Sequence, residues 1–223
     1  EEANAIAKIG DTMNPNMESI VALKPDVVFV STASQIEAFM KTLEANGIAV
    51  YVTNPDSLNG VFNNLKQFGI IFDTSMDAEK LVAGLYDRVS AVQNACNTIR
   101  EEDEEDEWYD EKVGIVRVFV QISKEPLFTV GKTAFLNDLL ETAGGRSVTS
   151  NVETAYPKLS KETASALNPE VIILSESEDN KEPNEVFKNS AAVKNGRVYK
   201  LNADLLSRPG ARLIDALEQI AAF

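Results

Sequence analysis

The chain has 223 residues, 44% of them hydrophobic and 25% charged, with 35 acidic against 21 basic side chains and a formal charge of −14. That balance argues against a basic, phosphate-binding face and so against nucleic acid as a partner. The absence of histidine removes the Ser-His-Asp triad, imidazole acid–base chemistry and the commonest transition-metal ligand, no apolar run is long enough to span a bilayer, and the lone Cys96 has no partner for an internal disulfide.

The chain opens on a turn-rich stretch, residues 10–15, after which Asn16 is placed to cap a short helix ending near Leu23. Pro25-Asp26 breaks that helix. Val27, Val28, Phe29 and Val30 then form an all-apolar run, the pattern of a parallel strand covered on both faces. An amphipathic helix over 35–45 stops at Asn46-Gly47, a helix C-terminal signal, and a strand follows over 48–53. Residues 57–68 and 76–100 read as helices. In the second, Leu81, Leu85, Val89 and Val92 recur at three or four residues among charged side chains, and its 25 residues would reach about 37 Å. Residues 101–107 are seven consecutive acids. They read as a solvated loop, since the central glycine of an EF-hand is missing.

A strand over 113–120 starts the second half. A helix over 134–142 ends at Ala143-Gly144-Gly145. Strands at 171–174 and 198–201 alternate with helices at 184–187 and onward and at 210–222. Strands alternating with helices imply a parallel α/β sheet in each half. Gly131-Lys132-Thr133 resembles the end of a phosphate loop, but the glycine such a loop needs five residues earlier is Pro126. No nucleophile elbow and no dinucleotide-binding glycine pattern is present, so catalysis is not expected.

Two stretches are copies of one another. Residues 16–30 (NMESIVALKPDVVFV) align with 160–174 (SKETASALNPEVIIL), placing Glu18 on Glu162, Leu23 on Leu167, Pro25 on Pro169 and Asp26 on Glu170. Residues 50–56 likewise align with 198–204. Two copies are too few for a solenoid and imply two similar α/β lobes facing each other across a cleft. Glu18 and Glu162 each sit in a first helical turn, where a carboxylate complements the helix dipole. Their repeated position also fits two matching cations on a two-fold symmetric partner. Ligands of open α/β sheets lie outside the carboxyl ends of the strands. Those ends carry Ser31, Thr32, Asn54, Asp56, Phe119, Gln121 and the segment from Asp204 to Arg208, with Tyr156 just before the second copy. A planar cation, Arg208, and an amphipathic ring, Tyr156, suit a large ligand that is partly anionic and partly apolar.

Together these motifs resemble the substrate-binding proteins of ABC importers for iron chelates, haem and vitamin B12. The likeness rests on Gly10-Asp11 with Pro15-Asn16 and Glu18, on Ala22-Leu23-Lys24-Pro25-Asp26-Val27-Val28, and on residues 127–132. Ala143-Gly144-Gly145, residues 156–162 and Ser207-Arg208-Pro209-Gly210-Ala211-Arg212 complete it. The resemblance implies two Rossmann-like lobes joined by one long helix. It divides the chain into an N-terminal lobe at 1–74, the inter-lobe helix with its acidic loop at 75–107, and a C-terminal lobe at 108–223. It implies an extracytoplasmic protein, in the periplasm or as a cell-surface lipoprotein, touching the membrane only through a permease or a removed lipid anchor.

The same resemblance implies that Glu18 and Glu162 dock on an ABC permease dimer. It places Ser31, Phe119, Tyr156 and Arg208 around a transported metal chelate, to which the strand ends add Thr32 and Asp204, with no intrinsic cofactor, no protein-bound metal and no catalysis. A ferric siderophore and a corrinoid fit about equally, with haem third and Tyr156 its conceivable axial ligand. Cobalamin binders carry a Trp at the end of the first shared strand, where this chain has Ser31. Members of the family begin with a strand–helix–strand unit before Gly10. In its absence the N-terminal lobe is expected to keep two strands and to leave an edge at Val27–Val30 that pairs elsewhere. The alternative reading is an enzyme subunit or adaptor of nitrogenase- or chelatase-like fold, which would be expected to bring Cys or His ligands.

Overall fold

The computed structural model describes residues 5–11, 14–31, 37–104 and 115–223. The chain forms two compact units, Glu1–Asn54 and Pro55–Phe223.

The first unit holds α1 (Met17–Leu23), β1 (Val27–Ser31), α2 (Glu37–Ala45) and β2 (Ala49–Thr53), with β1 and β2 paired in parallel. Asn16 starts α1 by accepting a hydrogen bond from the Ser19 N–H at 3.0 Å. Lys24 ends it in the left-handed region at φ 48°, and Pro25 prevents continuation. Val28 and Val50 pack with Ile20, Leu43 and Ile48 into a small core beneath the two helices. Phe29 and Tyr51 oppose each other on the other face, with ring centroids 5.6 Å apart.

The second unit contains α3 (Leu58–Ile71), α4 (Ser75–Glu104), β3 (Val116–Gln121), α5 (Leu136–Thr142), β4 (Gly145–Ser147), α6 (Lys161–Leu167), β5 (Val171–Glu176), α7 (Ala191–Lys194), β6 (Val198–Asn202), α8 (Ala203–Ser207) and α9 (Leu213–Ala221). Its sheet is fully parallel in the order β4-β3-β5-β6. Parity along the strands divides the core. Val118, Val120, Val171 and Ile173 point into the larger cluster, which is covered by α3, α4, α5 and α9. Phe119, Ile172 and Leu174 point into the smaller one, covered by α6 and α7. Both faces are buried, as the uninterrupted apolar runs imply.

Three segments take a place that the sequence alone does not give. Helix α3, within residues 1–74, joins the larger core through Leu58, Val61 and Phe62. Phe62 meets Tyr86 of α4 edge-on at 4.6 Å, and the Asp138 carboxylate of α5 accepts from the Leu58 N–H at 2.6 Å. The first four acids of the 101–107 run, expected as loop, continue α4, which at 30 residues reaches about 45 Å; residues 105–107 lie outside the described set. Residues 203–207, at the carboxyl end of β6, form α8, started by the Asn202 side chain accepting from the Asp204 N–H at 2.8 Å.

The two copies seen in the sequence are structural copies too. Helices α1 and α6 are each seven residues long, capped by Asn16 and Ser160 and closed by left-handed Lys24 and Asn168. Val28 pairs with Val50, and the equivalent Ile172 pairs with Val198, so the sheet register reproduces the alignment. The helices leading into β2 and β6 end alike, at Gly47 (φ 72°) and Gly196 (φ 69°). In each, the next N–H reaches back to a carbonyl five residues earlier, Ile48 to Leu43 and Arg197 to Ala192. The second copy runs one residue fewer from that glycine to the matching valine.

Arg88 ties α4 to α9. Its guanidinium donates twice to Glu218, at 2.8 and 2.7 Å, and once to Asp215 at 2.7 Å. These bonds lower the Glu218 pKa and raise that of Arg88. A carboxylate with a depressed folded-state pKa stabilises the fold above its unfolded value of about 4.3 and loses that contribution as the pH falls through the depressed one. All three side chains are about 40% exposed, so Arg88→Met is expected to cost about 1 kcal/mol at neutral pH. The gap between variant and wild type should close in acid; urea titrations at pH 7 and pH 3 that show the same gap would contradict the ion-pair account.

Candidate ligand-binding site

The order of the second sheet reverses between β3 and β5, since β3 leads to β4 on one side and β5 to β6 on the other. Open α/β sheets take ligands outside the carboxyl ends of the strands at such a switch point. Here the two strand ends are clamped by a buried amide network. Gln121 donates to the Asn180 Oδ1 at 2.6 Å and to the Glu182 carbonyl at 2.9 Å. Asn180 donates to the Gln121 carbonyl at 2.9 Å and to the Ser175 carbonyl at 2.8 Å. The Asn184 N–H donates to Gln121 Oε1 at 2.8 Å, and its side chain to the Lys124 carbonyl at 2.8 Å. Gln121, Asn180 and Asn184 are all buried. A satisfied buried network of this kind holds the loops after β3 and β5 in one arrangement.

Tyr156 sits on the long loop after β4, and its neighbours hold that loop. The Gly131 N–H donates to the Ala155 carbonyl at 2.8 Å, the Thr129 N–H to the Pro157 carbonyl at 3.1 Å, and the Leu159 N–H to the Leu127 carbonyl at 2.9 Å. Pro157 is buried and Ala155 packs on the larger core, whereas Tyr156 is 45% exposed. A fixed backbone thus presents an aromatic side chain, which suits stacking on a planar or bulky ligand. Desolvation raises the phenol's pKa, so it is protonated at neutral pH and able to donate. Gly131 is explained by this loop and not by phosphate binding. A Cβ there would lie 1.9 Å from the Thr154 carbonyl oxygen and 2.8 Å from that of Val152.

Asp204 in α8 and Arg208 just after the helix are brought together, 3.1 Å apart and both exposed. Ser31 ends β1 in the first unit, exposed and in register with Thr53. Thr32 lies outside the described residues. Phe119 is fully buried, with its ring 4.5 Å from that of Phe187, and packs in the smaller core. Two residues further along β3, Gln121 organises the strand end.

Glu18 and Glu162 occupy equivalent first-turn positions of α1 and α6, and both are exposed. The backbone N–H of Glu162 and then the Ser160 hydroxyl hold the Glu162 carboxyl below its ordinary range, so it is ionised near neutral pH. Among the described residues no group of three or more Cys, Asp or Glu side chains is gathered to hold a metal ion, and no helix is long and apolar enough to cross a membrane.

Sequence reasoning reached Gln121 as a strand end but missed its partners Asn180 and Asn184 and the pairing of Lys132 with Glu153. Turn-rich asparagines around Pro183 were the available signal; their partners stand about sixty residues away.

A family model described as periplasmic binding protein matches residues 1–205. The chain belongs to the periplasmic binding protein family. Among relatives, the ABC transporter substrate-binding lipoprotein YvrC of Bacillus subtilis is 28% identical, across 99% of this chain and 68% of that protein. The vitamin B12-binding protein of Vibrio parahaemolyticus is 25% identical, across 99% of this chain and 76% of its own length. The solved periplasmic vitamin B12 binding protein of Vibrio cholerae superposes with a TM-score of 0.78 at 22% identity, covering 99% of this chain and 82% of that one, which establishes the shared fold. A periplasmic heme-binding protein, BhuT, solved with two hemes, superposes at 0.80 with 17% identity, covering 99% of this chain and 82% of that one. The parallel α/β units of this periplasmic binding protein are therefore those of its family.

Proposed function

We propose that the chain is the solute-binding component of an ABC importer and that it carries a metal chelate, cobalamin or a ferric siderophore, to a permease outside the cytoplasm. The observation that carries this reading is the family match through residue 205, joined by relatives named as substrate-binding and vitamin B12-binding proteins along 99% of the chain. The site supports it. Tyr156 and Arg208 offer an aromatic face and a donor fork to the periphery of a chelate, and a chain without histidine is suited to a metal already held by its own chelator. Ser31 and Thr32 are further proposed ligand contacts. In this reading residues 1–74 and 108–223 act as the two lobes and 75–107 as their connection, the ligand is cargo with no resident cofactor, and no reaction is catalysed.

Titration of the purified protein with cyanocobalamin, haemin and a ferric hydroxamate, followed by visible absorbance and calorimetry, is expected to show saturable one-to-one binding of cobalamin or the hydroxamate. Failure of all three to bind would remove the chelate reading.

Glu18 and Glu162 are the proposed permease contacts, one on each copy of the repeated helix. The double variant Glu18→Lys, Glu162→Lys is expected to lower uptake by about tenfold or more, since like charges across an interface cost several kcal/mol. Ligand affinity should be unaltered, and rising salt should narrow the difference. Normal uptake by the double variant would leave both residues as complements to the dipoles of α1 and α6.

A further inference from the structure

Three ion pairs stand at the carboxyl edge of the four-stranded sheet, whose loops also carry Lys124, Lys158 and Arg212. Arg208 closes α8 with its guanidinium 3.1 Å from the Asp204 carboxylate. Lys132, on the loop after β3, lies 2.9 Å from Glu153 on the loop after β4. Lys161, opening α6, lies 3.7 Å from Glu125. The segment leaving β5 holds Glu176, Glu178, Asp179 and Glu182 against Lys181 alone. Three cations of this edge are thus each neutralised by a neighbouring carboxylate, and the adjoining loop is acidic, in a chain whose formal charge is −14.

Such an edge is poor at drawing an anion. A polyanion approaching Arg208 meets Asp204 at the same point, so the attraction of one charge is offset by the repulsion of the other. The guanidinium still has donors to spare: it carries five N–H groups in a planar fork, and a single contact to Asp204 leaves most of them available. It can therefore bind carboxamide, hydroxamate or carbonyl oxygens without adding net positive potential.

We propose, building on the chelate-binding reading, that Asp204 is a specificity-determining residue: it cancels the charge of Arg208, so that the site takes electroneutral chelates rich in amide or hydroxamate oxygens and rejects polyanionic ones. Cyanocobalamin and a neutral ferric trihydroxamate fall in the first class. A trianionic ferric tricatecholate falls in the second.

The test is calorimetric titration of the whole chain, as wild type, Asp204→Asn and Arg208→Gln, with those three probes at low and high salt. The wild type should bind a neutral probe more tightly than the tricatecholate. Asp204→Asn should shift the ratio of the two affinities toward the trianion by about two- to fivefold at low salt, the range for an exposed charge pair, and less at high salt. Arg208→Gln should weaken the neutral probe without favouring the trianion. Tightest binding of the trianion by the wild type, or an unshifted ratio in Asp204→Asn, overturns the selectivity while leaving chelate binding intact. Binding of none of the probes overturns both.

Discussion

Gly131→Ala is expected to destabilise the second unit by about 3 kcal/mol and to cost the protein most of its ligand affinity. The methyl group would arrive 1.9 Å from one backbone oxygen and 2.8 Å from another, and both belong to the segment that leads into Tyr156. Backbone cannot yield as a flexible side chain can. The segment must withdraw, which breaks the bond from the Gly131 N–H to the Ala155 carbonyl and the bond from the Lys132 N–H to the Val152 carbonyl. Each backbone group left without a partner in a poorly solvated position costs about 1–3 kcal/mol. Tyr156 then loses the fixed frame that orients it. Chemical denaturation would read the first effect and cobalamin or hydroxamate titration the second. A variant of wild-type stability that binds normally would show that the close approach at Gly131 is not a constraint.

Phe119→Ala should be the most destabilising substitution in the smaller core, at about 3–5 kcal/mol, because it empties a fully buried aromatic site beside Phe187. For a chain of this size that corresponds to a fall in melting temperature of roughly 10 °C. The resemblance places Phe119 at the ligand, and the two roles predict different data. A core residue changes stability and leaves the affinity of the folded fraction alone; a ligand contact does the reverse. Thermal melting with and without ligand, paired with titration well below the transition, separates them. A large loss of affinity at nearly unchanged stability would restore Phe119 to the pocket.

What could be read from the sequence by itself was local. The caps of α1 and α6, the left-handed ends at Lys24 and Asn168, the glycines at 47 and 196 and the prolines that follow the helices all act within a few residues, so their signals are contiguous in the chain. The duplication was legible for the same reason, and with it the parallel α/β class and the family. Glu18 and Glu162 come from that duplication directly. What the sequence could not decide was which face a residue presents and which partner it meets. Val118, Phe119 and Val120 are three apolar residues in succession, so nothing in them says that Val118 and Val120 enter one core and Phe119 the other; the helices covering each face decide that. Helix α3 is amphipathic in isolation, and only Phe62 against Tyr86 and the Asp138 bond to Leu58 assign it to the second unit. The Gln121, Asn180 and Asn184 network likewise joins residues about sixty positions apart. Propensity and capping are settled within one turn of backbone, whereas burial and side-chain pairing depend on chain segments brought together only by the tertiary fold.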